Sequence, residues 1–330
     1  MTISSKSRIS LMFLPCCLLA LCTPSLADPF DQLTEKMRII EDVVSGFTDM
    51  NSTDMFILPF EPLRSYNFPC QVEPPTGEVP TSVHKLRPSD VKVIAALGDS
   101  FTAGRSAKYD NVKAILHDYR GVSWSIGGDE SYSTLPTLPN ILRMYNSDLH
   151  GYSKGVDNQH IGYNMAISGA RTFDIIQQAY LLVQKMRLDP LVDIENDWKV
   201  LTIFIGGNDL LDTCRVIASS TEMYANNIKT TLEYLLVNLP RTFVNLVQLF
   251  NVELIRQLPR GPICSMIIRS ICSCESEDEM RKMSRRREDF QAALQGIVDS
   301  GRFDRRDDFT VVLQPFLSRH PAAPQGQEQQ

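Results

Sequence analysis

Between residues 91 and 314, five short runs rich in apolar residues alternate with stretches of helical periodicity. The runs cover residues 91–97, 161–167, 200–205, 242–252 and 309–314. Strands that are apolar along most of their length are buried on both faces, and strands separated by helices pair in parallel. The alternation therefore predicts an α/β fold, a three-layer α/β/α sandwich with a parallel five-stranded sheet.

Helical patterns fall at residues 172–186, 221–238 and 277–298. Ser220 or Thr221 is expected to cap the second of these helices, and Pro240 follows its end. In parallel sheets of this kind, ligands bind outside the carboxyl ends of the strands. We therefore expect the loops after residues 97, 167, 205 and 314 to share one edge of the sheet, which we call the carboxyl rim.

The first 27 residues have the pattern of a secretory signal peptide. Lys6 and Arg8 precede an apolar stretch, and Ser25-Leu26-Ala27 has the small-x-small pattern of a cleavage site. An uncleaved membrane anchor is the alternative, but the apolar stretch is shorter than the ~20 residues that span a bilayer. We therefore expect a protein of the secretory pathway that is released outside the cell.

The segments that flank the alternating region have their own patterns. Residues 28–90 are expected to form a leading helix and then a Pro-rich extended segment, pinned by Cys70. The sequon Asn51-Ser52-Thr53 predicts glycosylation of Asn51. Residues 317–330 are rich in Pro and Gln without periodicity, which predicts a disordered tail.

Three of the eight cysteines lie in the predicted signal, which leaves Cys70, Cys214, Cys264, Cys272 and Cys274. In an oxidising compartment this set predicts disulfides, and its odd number predicts one thiol without a partner in the chain. A zinc site at Cys264, Cys272 and Cys274 is the alternative, but it lacks a fourth ligand and the usual Cys-x-x-Cys spacing.

The charge balance argues against nucleic-acid binding, because the formal net charge of -6 leaves no basic excess to neutralise phosphates. One basic stretch does occur, on the last predicted helix. We interpret it as a solvated face balanced by neighbouring acidic residues, with contact to anionic lipid headgroups as the alternative. The basic residues are Arg281, Lys282, Arg285, Arg286 and Arg287.

Three motifs fall on the predicted carboxyl rim: Gly98-Asp99-Ser100, Ser168-Gly169-Ala170 and Gly206-Gly207-Asn208-Asp209. Individually, such a serine is often a helix cap, and the Gly and Asn residues are often turn positions. Together they offer a serine nucleophile facing an asparagine amide and backbone N–H groups. Acyl transfer needs this set, because the donors stabilise the oxyanion that develops on the attacked carbonyl.

The same motifs resemble the first three sequence blocks of the GDSL, or SGNH, hydrolases. The stretches ALGDSFTAG, NMAISGARTFDI and FIGGNDLLDTC are most similar to the phospholipase B branch, and the similarity extends from about residue 28 to 315. The resemblance implies a flavodoxin-like SGNH hydrolase domain over residues 91–316. It also implies that Ser100 is the nucleophile and that Gly169 and Asn208 join the Ser100 amide in the oxyanion hole.

One block of that family has no counterpart here. The family carries Asp-x-x-His after its fifth strand, which supplies the general base and the carboxylate that orients it. The only Asp-x-x-His in this sequence, Asp157 to His160, precedes the second predicted strand, whose seven residues would place it ~20 Å from the carboxyl rim. His320 follows the fifth predicted strand, but Leu317 stands where the Asp should be. We expect the base to be missing, as in a product that ends early.

From these patterns we predict a metal-independent serine ester hydrolase of the phospholipase B type that needs no cofactor. Its substrates would be glycerophospholipids, lysophospholipids and glycerides at a membrane or micelle surface, and its activity would be impaired by the missing base. A catalytically silent lipid-binding protein is the alternative. A flavodoxin-like phosphate binder is a third possibility, for which no sequence feature argues.

Overall fold

The computed structural model describes residues 65–72, 77–108, 112–214, 219–251, 274 and 276–317. Its contacts divide the chain into two units, and every described residue belongs to the second, which comprises Leu58–Pro259 and Ser273–Gln330. Several predictions lie outside the described residues: the signal peptide, the leading helix, glycosylation of Asn51, any disulfide formed by Cys264 or Cys272, His320 and most of the tail.

The sheet of the described unit has four parallel strands: β1 (Val91–Gly98), β2 (Trp198–Phe204), β3 (Thr242–Val247) and β4 (Phe309–Gln314). They lie side by side in the order β1-β2-β3-β4. Gly98 pairs with Phe204, and Val247 pairs with Gln314, so the carboxyl ends of the strands are level. The predicted α/β class with a parallel sheet is confirmed.

Among the described residues, six α-helices connect these strands. They are α1 (Ser100–Ala103), α2 (Leu138–Leu142), α3 (Ile175–Leu188), α4 (Gly207–Leu211), α5 (Thr221–Asn238) and α6 (Glu277–Asp299). Ser220 caps α5 as predicted, because its hydroxyl accepts a hydrogen bond from the Met223 N–H. Ser276 caps α6 through a reciprocal pair of hydrogen bonds with Glu279.

Both faces of the sheet are covered, which explains why its strands are so uniformly apolar. Helix α5 packs between α3 and α6, while α3 also contacts β1 and α6 contacts β4. A second apolar cluster joins β1 and β2 to the segment that contains α2. The cluster consists of Val91, Ile94, Ala96, Ile126, Leu142, Leu149 and Val200.

The sheet has four strands in the described part of the chain rather than the five predicted. Residues 161–167 form only an isolated parallel bridge, between Asn164 and Ala96 of β1. Gly162 adopts a φ of +53°, and the side chain of Asn164 accepts a hydrogen bond from the Ala166 N–H. The buried guanidinium of Arg120 donates to the carbonyls of Asn164 and Ala166, at 3.3 and 3.1 Å, so no neighbouring strand takes these acceptors.

The fourth predicted run, residues 242–252, ends earlier as a strand, since β3 stops at Val247. At the opposite end of the sheet, the fully buried side chain of Lys199 binds backbone carbonyls near the start of β2. Its Nζ donates to the carbonyls of Ile194, Asp197 and Pro240 at 2.6, 2.7 and 2.9 Å. Burial lowers the pKa of Lys199 to about 8, so the amine is still protonated at neutral pH.

The prediction that Cys70 pins the Pro-rich segment is wrong, because Cys70 is an exposed free thiol. Aromatic packing holds this segment instead, with the ring of Phe68 edge-on to Tyr132 and Tyr145 at 4.9 and 5.5 Å. Further along, the Trp198 indole donates to the carbonyl of Pro80 at 3.0 Å.

A disulfide joins Cys214, which follows α4, to Cys274, which precedes α6. It excludes Cys274 as a zinc ligand in this structure, because a disulfide sulfur is not a thiolate. In the ranges that the structure describes, no helix is both long and apolar enough to cross a bilayer.

Candidate active site

Ser100 stands at the carboxyl end of β1, as the first residue of α1. The helix cap is Asp99, whose carboxylate accepts from the Phe101 N–H at 3.0 Å, so the interpretation of Ser100 as a cap is wrong. Ser100 is half-buried, and its hydroxyl and N–H have no hydrogen-bond partner among the described residues. Both groups are therefore available to a substrate.

The turn that presents Ser100 requires glycine at position 98. A Cβ on Gly98 would come within 2.5 Å of the Phe204 carbonyl oxygen on the neighbouring strand. Gly98 is also held on its other side by α3, through two hydrogen bonds with the buried amide of Gln178, both of 2.9 Å. The position from which Ser100 leaves the sheet is thus fixed by tight packing and by hydrogen bonding.

Gly169 lies in a turn in which the Ala170 N–H donates to the Ile167 carbonyl at 3.0 Å. Gly169 has a φ of +85°, a conformation that side-chain-bearing residues rarely adopt. In the described part of the chain its N–H has no acceptor. The turn therefore leaves one backbone donor unused next to Ser168.

Asn208 belongs to α4, and not to an irregular turn. The helix starts after Gly206, which has a φ of +115°. The Asn208 side-chain amide donates one hydrogen bond to the Ala170 carbonyl at 2.8 Å. Because an amide carries two N–H groups, this bond orients the side chain and leaves the second N–H for another acceptor.

The three motif loops are linked to one another in pairs. The Ile167 N–H donates to the Gly98 carbonyl at 3.2 Å, and Asn208 bonds Ala170 as described. The first and third loops also meet, since a Cβ on Gly207 would lie 3.5 Å from the Asp99 carboxylate. The structure therefore brings the predicted Ser100, Gly169 and Asn208 loops together at the carboxyl rim.

Two buried carboxyl groups stand behind this edge. Burial, together with the nearby charge of Asp209, raises the pKa of Asp99 to about 7. Burial also raises the pKa of Asp209, although Asp209 accepts from the Thr172 N–H and hydroxyl at 3.0 and 2.8 Å and from the Ser219 hydroxyl at 2.9 Å. Asp209 thereby ties α4 to the residues that precede α3 and α5.

Sequence reasoning missed Asp118, which supports the second motif loop. The Ser168 hydroxyl donates to the Asp118 carboxylate at 2.7 Å, next to the backbone of Gly169. Arg105 and Arg120 flank the same carboxylate at 3.4 and 3.2 Å. Asp118 belongs to no motif and lies 50 residues before Ser168, so no local pattern could have identified it.

Asp157 pairs with a different histidine from the one in its Asp-x-x-His motif. Its carboxylate lies 2.8 Å from Nδ1 of His117, and its N–H donates to the Asp118 carbonyl at 2.7 Å. Asp118 in turn contacts Ser168, so Asp157 lies closer to the carboxyl rim than the ~20 Å expected from a seven-residue strand. The expectation is wrong because residues 161–167 do not form that strand.

Two further described histidines pair with carboxylates on other loops. His150 lies 3.0 Å from Asp189, and His84 lies 3.5 Å from Asp304. No histidine in the described ranges forms a hydrogen bond with Ser100. The structure thus places Ser100, Gly169 and Asn208 at one edge, and no described residue forms a hydrogen bond with the Ser100 hydroxyl.

The three motif loops lie in a part of the sequence that matches the model of a known protein family. The model of the family described as GDSL-like lipase/acylhydrolase matches residues 94–330. The chain belongs to this GDSL family. The match includes all three motif loops from Gly98 to Asp209.

Within the GDSL family, similar curated proteins are the membrane-associated phospholipases B1 of rat and mouse. The rat protein is 42% identical over 272 residues, and the mouse protein is 38% identical over 275 residues. Each match covers 78% of this chain but 19% of the relative, so the chain spans about a fifth of their length. The resemblance to the phospholipase B branch is confirmed.

Among solved structures, the extracellular lipase of Streptomyces rimosus matches with a TM-score of 0.34 and 16% identity. The alignment covers 68% of this chain and 80% of the lipase chain.

Proposed function

We propose that this protein is a serine ester hydrolase that cleaves acyl esters of glycerophospholipids and glycerides through an acyl-enzyme at Ser100. One observation carries the proposal. Three loops that are linked pairwise carry an oriented asparagine amide, a serine hydroxyl and two backbone N–H groups, and the hydroxyl and both N–H groups have no partner among the described residues. Such a set is suited to acyl transfer and is hard to explain by packing.

In the first step, Oγ of Ser100 attacks the ester carbonyl carbon while its proton passes to a base. The carbonyl oxygen becomes an oxyanion and accepts hydrogen bonds from the N–H groups of Ser100 and Gly169 and from the free N–H of Asn208. The carbon–oxygen bond then breaks, and the alcohol leaves with a proton from the base. Water attacks the acyl-enzyme in the reverse sense, which releases a fatty acid and regenerates Ser100.

The Asn208–Ala170 hydrogen bond prepares the site for this chemistry. A side-chain amide that is already fixed need not be ordered when the oxyanion develops, so its interaction favours the transition state over the ground state. Loss of one such donor typically raises the barrier by ~2.7–4 kcal/mol. Asn208→Ala should therefore lower kcat by about a hundredfold or more.

The described residues do not supply a general base for Ser100. Since no described residue forms a hydrogen bond with the Ser100 hydroxyl, we propose that turnover by this chain is slow. A serine site without its base keeps only ~10³–10⁴-fold acceleration over water, from the oxyanion hole and substrate binding. The same observation supports the second candidate function, a lipid-binding protein that does not turn over its ligand.

A labelling experiment separates the two functions. The full chain is incubated with a fluorophosphonate and with a short-chain p-nitrophenyl ester, and the labelled residue is identified by mass spectrometry. An enzyme shows covalent labelling of Ser100 and ester turnover, both lost in Ser100→Ala and retained in Ser147→Ala, which alters an exposed serine. Absence of labelling and of turnover in the folded chain would refute the hydrolase and support the silent binder.

We further propose that the protein acts outside the cell, on lipids at a membrane or micelle surface. The Cys214–Cys274 disulfide supports an oxidising compartment, because such bonds persist in secreted proteins. The name of the rat relative, phospholipase B1, membrane-associated, supports a lipid substrate. Fractionation of expressing cells, with the protein sought in the medium, tests this placement.

A further inference from the structure

Five aromatic side chains form one connected row of ring contacts at the carboxyl rim. Phe101 lies 5.0 Å from Phe250 and 6.0 Å from Phe204, measured between ring centroids. Trp124 lies 5.9 Å from Phe204 and 5.9 Å from Phe316. We call these five residues, Phe101, Trp124, Phe204, Phe250 and Phe316, the aromatic wall.

The sheet places the wall beside Ser100. Phe204 is the last residue of β2, while Phe250 and Phe316 follow β3 and β4 closely. Phe101 is the residue directly after Ser100. Because the carboxyl ends of these parallel strands are level, four rings from four strand ends converge on the edge that carries the three motif loops.

The wall is open where a ligand could cover it. Phe204 is 2% exposed, whereas Phe101 and Phe316 are 45% and 48% exposed, at opposite ends of the wall. Isolated exposed rings are common, but a connected row of rings that runs from a buried anchor to two open ends is a typical ligand-binding surface. Covering such rings with an apolar ligand removes their surface from water.

We propose that the aromatic wall binds the acyl chain of a lipid ester. The choice of ligand rests on the proposed function, since an acyl chain attached to a carbonyl at Ser100 must extend over the apolar surface that begins there. Phe101 then contacts the carbonyl end of the chain. Trp124 and Phe316 lie two and three ring-to-ring steps of about 6 Å further on and contact its distal carbons.

This assignment makes chain length the property that the wall selects. An acetyl group reaches no further than Phe101, whereas a long acyl chain also covers Trp124 and Phe316. Binding should therefore strengthen with chain length and depend on Phe316 only for long chains. A bound acyl chain needs no turnover, so the wall serves a hydrolase and a silent lipid binder alike.

The two tryptophans of the chain provide a reporter and its internal control. Trp124 belongs to the wall, while Trp198 is 2% exposed at the start of β2. Trp198 and Phe204 are the first and last residues of β2, six positions apart, a distance of ~20 Å along the strand. A quencher carried on a bound acyl chain should reach Trp124 and not Trp198.

The test uses Ser100→Ala protein, which cannot turn over ester, and lysophosphatidylcholine with a 9,10-dibromostearoyl chain below its micelle-forming concentration. We expect saturable quenching of tryptophan fluorescence, absent with the unbrominated lipid. The quenching should persist in Trp198→Phe and disappear in Trp124→Phe. Absence of quenching, or quenching that survives Trp124→Phe, would overturn the proposal.

Two further variants define the surface. Phe316→Ser should weaken binding of the stearoyl lipid by about tenfold, because it removes one ring from the contact. Leu188→Ser, which alters an 83% exposed leucine at the end of α3, should not change binding. Equal weakening by both would count against the wall. If Phe316→Ser instead converts a dimer to a monomer in sedimentation and no lipid quenching occurs, the wall is a protein interface and the proposal fails.

The outcomes distinguish failure of the acyl-chain site from failure of the hydrolase proposal. Quenching at Trp124 without fluorophosphonate labelling of the wild-type chain would support the acyl-chain site and refute the hydrolase proposal. Labelling and turnover at Ser100 without quenching would refute the acyl-chain site and support the hydrolase proposal.

Discussion

The side-chain amide of Gln178 forms two hydrogen bonds with one residue, Gly98. It accepts from the Gly98 N–H and donates to the Gly98 carbonyl, both at 2.9 Å. Gln178 is 1% exposed on α3, and Gly98 is the last residue of β1. The pair satisfies the N–H and carbonyl of Gly98, where the chain turns toward Ser100. Helix α3 therefore helps to fix the position of Ser100 at the end of β1.

Gln178→Leu should destabilise the protein, because it leaves the buried Gly98 N–H without an acceptor at a cost of ~1–3 kcal/mol. Gln178→Glu keeps the acceptor but, once ionised, cannot donate to the carbonyl. Its stability should therefore fall as pH rises from 5 to 8. Urea unfolding at both pH values measures this, with Gln177→Leu and Gln177→Glu on the exposed neighbour as matched controls. A pH-independent loss in Gln178→Glu would contradict the reciprocal pair.

Asp99 should make stability decrease with pH. Its folded pKa of about 7 lies above its unfolded value of 3.8, so between these values the folded state binds more protons than the unfolded state. The contribution of Asp99 is therefore greatest at low pH and is lost as pH rises through 7. Asp99→Asn, which can still accept from the Phe101 N–H, should gain stability relative to wild type between pH 4 and 7, by a few kcal/mol. A constant difference in unfolding free energy across that range would show that Asp99 titrates normally.

Asp118 should position the Gly169 turn through Ser168. In a double-mutant cycle of Ser168→Ala and Asp118→Ala, the coupling free energy should be about 0.5–3 kcal/mol, as for residues in direct contact. If Ser100 hydrolyses esters, Ser168→Ala should lower kcat and leave KM unchanged, because a misplaced oxyanion donor affects the transition state. Ser168→Thr keeps the hydroxyl and should restore kcat. Additive stability effects would show that the hydrogen bond has no energetic role.

Lys199→Met should destabilise the protein by about 2–5 kcal/mol, since three backbone carbonyls lose their common donor. Lys92→Met is the matched control on the neighbouring strand. The side chain of Lys92 is 64% exposed and pairs with Asp197 at 3.2 Å, an interaction of about 0–1 kcal/mol at the surface. Denaturant midpoints of the two variants should therefore differ clearly. Similar midpoints would mean that water replaces the Lys199 ammonium at these carbonyls.

The strands β1, β2 and β4 were predictable because each is mostly apolar, and the structure leaves only Lys92 of β1 exposed among their residues. The same criterion failed at residues 161–167, where composition resembles a strand but local geometry does not. The decisive groups there are Gly162, with its left-handed φ, and Arg120, which takes the carbonyls from a position more than 40 residues earlier. An apolar run records burial, and burial does not require a hydrogen-bonded strand.

The residues of the candidate site also include some that the sequence predicts and some that it does not. Ser100, Gly169 and Asn208 were predictable because their motifs follow predicted strands and therefore meet at one edge. Gln178 and Asp118 were not, because they act on Gly98 and Ser168 from 80 and 50 residues away. Nothing in their own neighbourhood in the sequence marks them, since the groups they satisfy become neighbours only in the folded chain.

The Cys214–Cys274 disulfide closes a covalent ring that contains α5 and β3. A single peptide cut anywhere within this ring would leave one molecule, which would separate into two fragments only on addition of a reductant. In the chain-entropy model a ring of this size stabilises the folded state by about 4 kcal/mol. A protease could therefore nick the connection between the Asn208 loop and α6 while the two sides of the carboxyl rim stay tethered.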